Sequence, residues 1–243
     1  MKSISPALLV PMDMFCGEEP LAVDLAYAVA DHPENIFGRI YRGDARLWSH
    51  IDLARVIILT ARSLHAEFGY MLELKDSLRT VDAQEAMQET PVVKANPHWC
   101  AEGPARLLAP PGHGGHPRGM AVDVCVLDRD GAPVDMGTKF DHMEPNAARS
   151  YTGFNEKILQ NRKNLESAFV SSAKTLDLPL LPLPSEWWDF RFPADTYTQY
   201  APLRDADLPP QMQMTGQQDS GIPDFPETHF DKLKETLLNS LPS

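Results

Sequence analysis

The stretch Gly114-Gly-His-Pro-Arg-Gly-Met-Ala-Val-Asp-Val-Cys-Val-Leu127 decides the fold. Its second half, Met120–Leu127, is an almost unbroken run of apolar and β-branched residues, which is typical of a buried strand. Asp123 interrupts that run, and a buried carboxylate is costly unless it is paired or binds a metal. His116 lies in the Gly- and Pro-containing turn before the strand, and His with a carboxylate is a common ligand pair for zinc. The alternative is a buried Asp that accepts backbone N–H bonds beside a surface His.

Regular secondary structure is predicted on both sides of this run. Residues Ile51–Phe68 place apolar side chains on one helical face, with a capping box of Ser49 and Asp52 before them and Gly69 as the stop. The other expected elements are a short helix at Leu21–Ala30, strands at Tyr70–Lys75, Val134–Met136 and Trp187–Phe192, helices at Thr80–Gln88, Asn155–Leu176 and Glu227–Leu241, and a loop over Pro91–Gly115. Helices and strands that alternate without βαβ regularity favour an α+β class. We therefore expect a single domain with a central, mainly antiparallel sheet flanked by helices, plus a Pro-rich C-terminal extension.

The charge balance excludes some classes of partner. The chain has 243 residues, and 22 Lys and Arg against 34 Asp and Glu give a formal net charge of −12. A surface this acidic argues against nucleic acid or an anionic membrane as the main partner. Neither a transmembrane span nor a signal peptide is recognisable in the sequence. Three cysteines without a CxxC pair indicate a reducing compartment, so we expect a cytoplasmic protein.

The composition changes after Tyr200, because Pro202–Pro226 is rich in Pro, Gln, Met and Asp. Such a stretch is typical of a linker or of a tail that wraps the surface. We predict one domain over residues 1–200 and a C-terminal extension over residues 201–243. The extension contains none of the candidate site motifs, so we expect it to lie outside the candidate site.

Three further segments carry side chains suited to chemistry. In Glu186-Trp-Trp-Asp189, two tryptophans can desolvate an acid–base group, although a regular strand would turn Glu186 and Asp189 to opposite faces. Arg79 follows a predicted strand and can present a fixed cation to a developing oxyanion. Asp141, at the end of an Asp-Met-Gly-Thr-Lys-Phe-Asp segment, can hold a substrate ammonium. Taken singly, each has an ordinary alternative: solvated strand acids, a surface Asp–Arg pair and a turn acid.

Taken together, these segments resemble the D-alanyl-D-alanine dipeptidases, the zinc metallopeptidase family known from vancomycin resistance. The family's first metal motif, SxHxxGxAxD, is similar to Gly114–Asp123, and its arginine motif, DxYRP, is similar to Asp76–Thr80. The MGxxFD motif is intact over Met136–Asp141, and the EWWH motif corresponds to Glu186–Asp189. The order and the intervals of the motifs also agree, and the resemblance runs from about residue 35 to residue 192.

The resemblance implies a role for each matching residue. The implied metal ligands are His116, Asp123 and Asp189. The implied catalytic residues are Glu186, which acts as the general base, and Arg79, which stabilises the oxyanion. The implied substrate-binding residues are Asp141, which holds the dipeptide's amino group, and Gly114. The implied cofactor is Zn²⁺. The chemistry is consistent, because zinc activates water near neutral pH while a base takes the proton.

The departures from the family pattern concern the metal and the substrate. Asp189 stands where the family has a third His ligand, and a His-Asp-Asp set is harder and more anionic, which favours Mn²⁺ or Fe²⁺ as alternatives to zinc. Gly114 stands where the family has Ser, which removes a hydroxyl from the pocket. Leu78 and Thr80 replace the Tyr and Pro that flank the family's arginine.

The implied function is hydrolysis of D-Ala-D-Ala or related D-amino-acid dipeptides from peptidoglycan metabolism. The expected partner is thus a small dipeptide, with no nucleic acid and no membrane, and a homo-oligomer is left open. Two alternatives remain at this stage. One is a catalytically impaired relative that binds a peptide or a partner, which the change at Asp189 favours. The other is a carboxypeptidase that trims cell-wall peptides, which would need a more open cleft.

Overall fold

A computed structural model describes residues 1–103, 106–216 and 225–242, except for the side chain of Glu227. Its strands are β1 (Leu9–Pro11), β2 (Leu21–Val23), β3 (Trp48–His50), β4 (Met71–Asp76), β5 (Ala121–Leu127), β6 (Leu181–Pro182) and β7 (Asp189–Arg191). The main sheet has the order β2-β4-β5-β7-β6, and β1 pairs separately with β3. Within the main sheet only the β2–β4 pair is parallel. The sheet is therefore mainly antiparallel, as expected for the predicted α+β class.

The helices are α1 (Ile51–Phe68), α2 (Val81–Gln88), α3 (Pro91–Ala95), α4 (Glu156–Thr175), α5 (Ala194–Tyr197) and α6 (Asp231–Asn239), with short 3-10 turns between many of the elements. The sequence predicted α1 to the residue. Its buried stripe packs on α4 and on the sheet. Each fully buried Leu or Ile there contributes about 1.5–3 kcal/mol through the hydrophobic effect. None of the described helices is both long enough and apolar enough to cross a membrane.

The two faces of the sheet differ in chemistry. Leu74 lies opposite Val124, and Val122 lies opposite Phe190, so these side chains share the apolar face. Phe169 of α4 stacks on the Phe190 ring with centroids 3.9 Å apart, which places the α1–α4 layer on that face. The opposite face presents Glu73 and Cys125 from β4 and β5 and, further along, paired acidic residues. The polar face is where the candidate site lies.

The end of β4 contains a register shift. Leu74 pairs with Val124, but Asp76 pairs with Asp123, so Lys75 is an extra residue in this strand. With strict alternation Asp76 would fall on the apolar face beside Leu74. The bulge turns Asp76 onto the polar face, opposite Asp123.

Several local predictions were wrong. Leu21–Ala30 is not a helix: backbone pairing with β4 makes Leu21–Val23 a strand, and only Ala26–Ala28 forms a 3-10 turn. The predicted capping box is replaced by the His50 side chain, which accepts the Asp52 N–H at 3.3 Å. Gly69 does end the helix, in the left-handed conformation at φ 71°.

Other elements differ in extent. The predicted loop over residues 91–115 contains α3 and a 3-10 turn. The predicted strand at Val134–Met136 is reduced to an isolated bridge between Leu127 and Pro133. The last predicted strand is only Asp189–Arg191, because a turn precedes it.

The described residues after Tyr200 lie against the domain. Leu203, Leu208 and Met214 are buried. The Leu203 N–H donates to the Pro117 carbonyl at 2.7 Å, and the Arg118 Nε donates to the Tyr200 carbonyl at 2.8 Å. No described residue after 200 lines the site cavity. The division at residue 200 remains a prediction.

Candidate active site

All seven candidate residues line one cavity of about 180 Å³ on the polar side of the sheet: Arg79, Gly114, His116, Asp123, Asp141, Glu186 and Asp189. Asp123 lies on β5 and Asp189 on β7, and the other five lie in loops and turns next to β4, β5 and β7. Arg191, which was not among the residues predicted from the sequence, lines the same cavity. The topology thus brings together segments more than 100 positions apart in the chain.

His116 is fixed by a hydrogen bond that defines its tautomer. It opens the 3-10 turn His116–Arg118, which ends at Gly119 in the left-handed conformation. The Nδ1 of His116 lies 2.8 Å from the carbonyl oxygen of Ser77. A carbonyl oxygen only accepts, so Nδ1 carries a proton and the neutral ring has its lone pair at Nε2. That Nε2 lies 3.3 Å from Asp189 Oδ2 and 3.6 Å from Asp123 Oδ2.

Asp123 and Asp189 are both buried and lie directly opposite each other on β5 and β7. Burial raises the pKa of Asp123 well above its usual value, and the negative charge of Asp189 raises it further. Burial alone would also raise the pKa of Asp189, but Arg191 and His116 lower it, and the net direction is down. Asp123 Oδ1 is buried and has no hydrogen-bond partner among the described residues. A buried carboxylate oxygen without a partner among the described residues can accept a water, an ion or a ligand.

Arg191 pairs with Asp189 through both carboxylate oxygens. Its Nε donates to Asp189 Oδ1 at 2.7 Å, and its Nη2 contacts Asp189 Oδ2. The two residues are two positions apart on β7, so they share a face. This period of two was the signal in the sequence that could have added Arg191 to the candidates.

Arg79 is held by Asp76, which the bulge in β4 delivers to this face. Its Nε lies 2.8 Å and its Nη2 2.7 Å from Asp76 Oδ2, while Nη2 is also 3.2 Å from Asp123 Oδ2. The Tyr41 hydroxyl donates to the other Asp76 oxygen at 2.6 Å. Burial alone would lower the pKa of Arg79, but Asp76 raises it and the net direction is upward. The guanidinium is therefore a permanently charged group in a fixed position.

Asp141 contacts Tyr27, whose ring lies next to Arg79. The Tyr27 hydroxyl donates to Asp141 Oδ2 at 2.5 Å, and the Arg79 guanidinium lies 5.2 Å from the centre of the Tyr27 ring. Burial raises the pKa of Asp141 to about 7, even though the Tyr27 hydrogen bond lowers it. Asp141 has φ 56°, a left-handed backbone that is uncommon outside glycine. No sequence signal pointed to Tyr27.

The loop that carries Asp141 is anchored to α4. Arg162 donates through Nε to the Met136 carbonyl at 2.8 Å and through Nη1 to the Asn146 carbonyl at 3.1 Å. The neighbouring Asn161 donates to the Asp135 carbonyl at 2.8 Å. These bonds satisfy the loop's backbone and hold both ends of the segment around Asp141.

Glu186 lies in the turn before β7, so it reaches the same cavity as Asp189. The bend that the sequence required for a shared site is therefore present. Burial raises the pKa of Glu186 to about 8, and the charge of Asp189 adds to the effect. A buried tryptophan follows it on the chain, and the Nε1 of Trp187 donates to Thr138 Oγ1 at 2.7 Å. This bond joins the Glu186 turn to the loop that carries Asp141.

The residues around His116 fit a divalent metal ion. One oxygen or nitrogen atom from each of Asp76, His116 and Asp123 lies within 4.8 Å of the others, and the same holds for Asp123, Glu186 and Asp189. In the neutral His116 ring the lone pair of Nε2 faces two carboxylates, and a cation between them would relieve the repulsion. Among the described residues, four carboxyl groups line the cavity, and a fifth, Asp76, contacts Arg79 at its wall. The guanidinium groups in contact with these carboxyl groups are Arg79 and Arg191, so the negative charge is in excess.

Comparisons with known proteins agree with this geometry. A family model for peptidase M15, described as D-ala-D-ala dipeptidase, matches residues 9–204. The chain is 26% identical over 173 residues to a D-alanyl-D-alanine dipeptidase of Escherichia coli, an alignment that covers 71% of this chain and 79% of that protein. It is 25% identical over 230 residues to one of Synechocystis, covering 77% and 86% of the two chains. The match of motifs, fold and family model over most of the length means that the chain belongs to the D-ala-D-ala dipeptidase family of peptidases.

Proposed function

We propose that the protein is a metal-dependent dipeptidase that hydrolyses D-Ala-D-Ala or a related D-amino-acid dipeptide from peptidoglycan metabolism. The observation that carries the proposal is the arrangement of His116, whose Nε2 lies 3.6 Å from Asp123 Oδ2 and 3.3 Å from Asp189 Oδ2. Family membership supports the reaction class. The three unpaired cysteines are consistent with a cytoplasmic location.

The metal ligands in this proposal are His116, Asp123 and Asp189. The ion is Zn²⁺, with Mn²⁺ or Fe²⁺ as alternatives, because two carboxylates and one imidazole form a harder donor set than two imidazoles and one carboxylate. When bound, a divalent ion there would polarise the peptide carbonyl and lower the pKa of a nearby water.

The chain's own residues supply the remaining steps. Asp141 accepts the dipeptide's ammonium and thereby sets the position of the scissile carbonyl. Glu186 takes a proton from the water whose oxygen bonds to the carbonyl carbon. Arg79 stabilises the negative charge that develops on the carbonyl oxygen. As the C–N bond breaks, Glu186 returns the proton to the leaving nitrogen, so that two free amino acids result.

A short substrate suits the cavity better than a long one. Its volume of about 180 Å³ is below the roughly 300–1,000 Å³ of pockets for drug-sized ligands. Asp141 is only 7% exposed, so a ligand ammonium that reaches it must be a free terminus near the scissile bond. Both observations favour a dipeptidase over a carboxypeptidase that acts on longer cell-wall peptides.

A second candidate function is a catalytically impaired relative that binds a peptide. One observation favours it: Arg191 engages both oxygens of Asp189, and these are the atoms that would have to contact the metal. The presence of a half-buried Glu186 and of Arg79 in the same cavity favours the enzyme instead, since binding alone requires no base.

Metal content and dipeptide turnover, measured on three proteins, separate the two functions. Wild type purified without chelator should contain about one transition metal ion and cleave D-Ala-D-Ala or a related dipeptide, and Asp189→Ala should hold the metal more weakly. If wild type is inactive and metal-free while Asp189→His gains both zinc and turnover, the impaired relative is the correct function.

We further propose that residues 201–243 lie outside the catalytic core. The support is that the cavity's described lining ends at Arg191. A protein truncated after residue 216 keeps the segment that packs on Pro117 and Arg118, so it should retain its metal and its turnover. Loss of the metal from a folded truncated protein would contradict this division.

A further inference from the structure

Arg191 has one nitrogen that Asp189 does not use. Its Nε and Nη2 are engaged by the Asp189 carboxylate, whereas Nη1 has no hydrogen-bond partner among the described residues. The side chain is 15% exposed and lines the cavity. A guanidinium that is fixed by one carboxylate and keeps a free N–H group is pre-organised to bind a second anion.

The space next to that nitrogen is open because residue 114 is a glycine. A Cβ built on Gly114 would lie 3.6 Å from Arg191 Nη1. The backbone of Gly114 has φ 85°, and Arg118 Nη1 donates to its carbonyl at 2.9 Å, so the conformation is held in place. Nη1 therefore faces a gap in the cavity wall that a larger residue would occupy.

The charges of the cavity are arranged in order across the sheet. Asp141 lies on the β4 side, next to Tyr27 and Arg79. Asp123 is on β5 in the middle, and Arg191 is on β7. The cavity therefore has a carboxyl group for a cation at one side and a guanidinium for an anion at the other.

This arrangement fits a zwitterionic dipeptide. β4 and β7 are separated by two inter-strand spacings, or about 10 Å. The ammonium nitrogen and the carboxylate carbon of an extended dipeptide are about 7 Å apart. One hydrogen bond of about 2.8 Å at each end brings the reach to roughly 12 Å. A dipeptide whose ammonium is at Asp141 thus reaches the β7 side with its carboxylate, and its peptide bond passes over Asp123.

We propose that Arg191 binds the C-terminal carboxylate of the substrate through Nη1 and so restricts the enzyme to peptides with a free carboxylate directly after the scissile bond. The inference rests on the proposed function, because it takes a dipeptide as the ligand. In this role Asp189 faces the proposed metal site and also orients Arg191, the residue that selects the substrate's carboxylate. Two further guanidinium groups line the cavity. Arg79 is engaged by Asp76 and Asp123, and Arg106 lies at the Glu102 loop rather than on the sheet.

The test compares the binding of D-Ala-D-Ala with that of its C-terminal carboxamide. Calorimetry on the metal-loaded Glu186→Gln protein measures binding without turnover. The carboxylate should bind about 10- to 100-fold more tightly than the amide, which is the range for a hydrogen bond between charged groups. Adding Arg191→Gln should remove most of that preference, and Arg191→Lys should retain part of it. Adding Arg106→Gln, the matched control, should leave it unchanged.

The ratio of the two affinities separates recognition from structural damage, since a weaker metal site or a looser fold affects both ligands alike. A preference below threefold in Glu186→Gln itself overturns the inference without any change at Arg191. So does a preference that survives Arg191→Gln, or one that Arg106→Gln abolishes instead. If neither ligand binds the Glu186→Gln protein, the proposed function fails and the inference fails with it. Should Arg191→Gln not fold, Arg191→Lys decides, because an undiminished preference in that variant contradicts a role for the guanidinium fork.

Discussion

Two carboxylate-rich clusters share the polar face of the sheet. In the Lys75 cluster, Nζ lies 2.6 Å from Asp24, 2.7 Å from Glu34 and 2.8 Å from Glu73. Burial alone would lower the pKa of Lys75, but the three carboxylates raise it, and the net direction is strongly upward. The His116 cluster is formed by His116, Asp123, Asp189 and Glu186, and its Asp123 Oδ1 is buried without a hydrogen-bond partner in the described part of the chain.

The two histidines of these clusters show the difference most directly. Asp24, His32 and Glu34 also approach one another closely enough to hold a metal. However, His32 Nδ1 accepts the Glu34 N–H at 3.2 Å, so Nε2 carries the proton that it donates to Asp24. In the neutral His116 ring Nδ1 donates to the Ser77 carbonyl, which leaves the lone pair at Nε2. Proximity of acids and a histidine therefore does not by itself identify a metal site. The proposed site at His116 differs by the lone pair that Nε2 can offer and by its excess of carboxylates.

The largest expected effect comes from a variant that removes a proposed metal ligand from the His116 cluster. Asp123→Asn should lose the bound metal and lower kcat/KM for the dipeptide by more than about 1,000-fold, because both water activation and carbonyl polarisation depend on the ion. Elemental analysis and turnover measure the two effects. The matched variant Asp24→Asn in the Lys75 cluster should keep the metal, and a loss of metal there would show that the clusters do not differ in this way.

The second change separates the base from the ligands within the His116 cluster. Glu186→Gln should lower kcat by about 100- to 10,000-fold while metal content and thermal stability stay near the wild-type values, because a general base contributes roughly that factor. Near wild-type turnover on any dipeptide that the protein cleaves would mean that another group takes the proton.

The third change removes the cation of the Lys75 cluster. Lys75→Met should lower the free energy of unfolding by about 2–3 kcal/mol at pH 7, because it leaves three carboxylates without their cation, two of them partly exposed and so partly screened. Lys94→Met, which removes an exposed pair with Glu89, should change the stability little. Denaturant unfolding measures both, and equal effects would contradict a buried ion cluster.

The smallest expected effect is on pH dependence. The pKa of Asp141 is raised to about 7, so its carboxylate is charged above that pH and neutral below it. Glu186, whose pKa is raised to about 8, also loses its charge as the pH falls, and that loss lowers kcat/KM for every substrate alike. At pH 6 about a tenth of Asp141 is ionised, so the ratio of kcat/KM for a dipeptide with a free ammonium to that for its N-acetylated counterpart should fall about tenfold from its value at high pH. A ratio that does not change with pH would contradict the role of Asp141.

The sequence predicted those parts of the molecule that depend on local pattern. The periodicity of residues 51–68 defined α1, and the apolar run at 121–127 defined β5. The candidate residues of four separate motifs do line one cavity. The features that the sequence did not predict depend on tertiary contacts. Strand β2 forms in place of the predicted helix because its backbone pairs with β4. Tyr27 contacts Asp141, which is 114 positions away in the chain.

Arg191 was missed, whereas Asp76 was predicted only as part of a surface pair with Arg79, and the reasons differ. Arg191 was two positions from a predicted ligand, and alternation along a strand could have identified it. Asp76 could not be placed by alternation, since strict alternation gives the wrong face. Only the pairing of Asp76 with Asp123, across the bulge at Lys75, resolves its position.

That bulge has a consequence for changes in chain length. Within a sheet, deletion of one residue ordinarily turns over every side chain beyond it. In β4 the residue in excess is Lys75, so a protein lacking it would return to regular pairing with Glu73 and Asp76 on the same face and Asp76 still opposite Asp123. The strand can therefore be one residue shorter and keep the support of Arg79, at the cost of the cation that Glu73 shares with Asp24 and Glu34. Alignments of relatives across this strand should permit a single gap at this position.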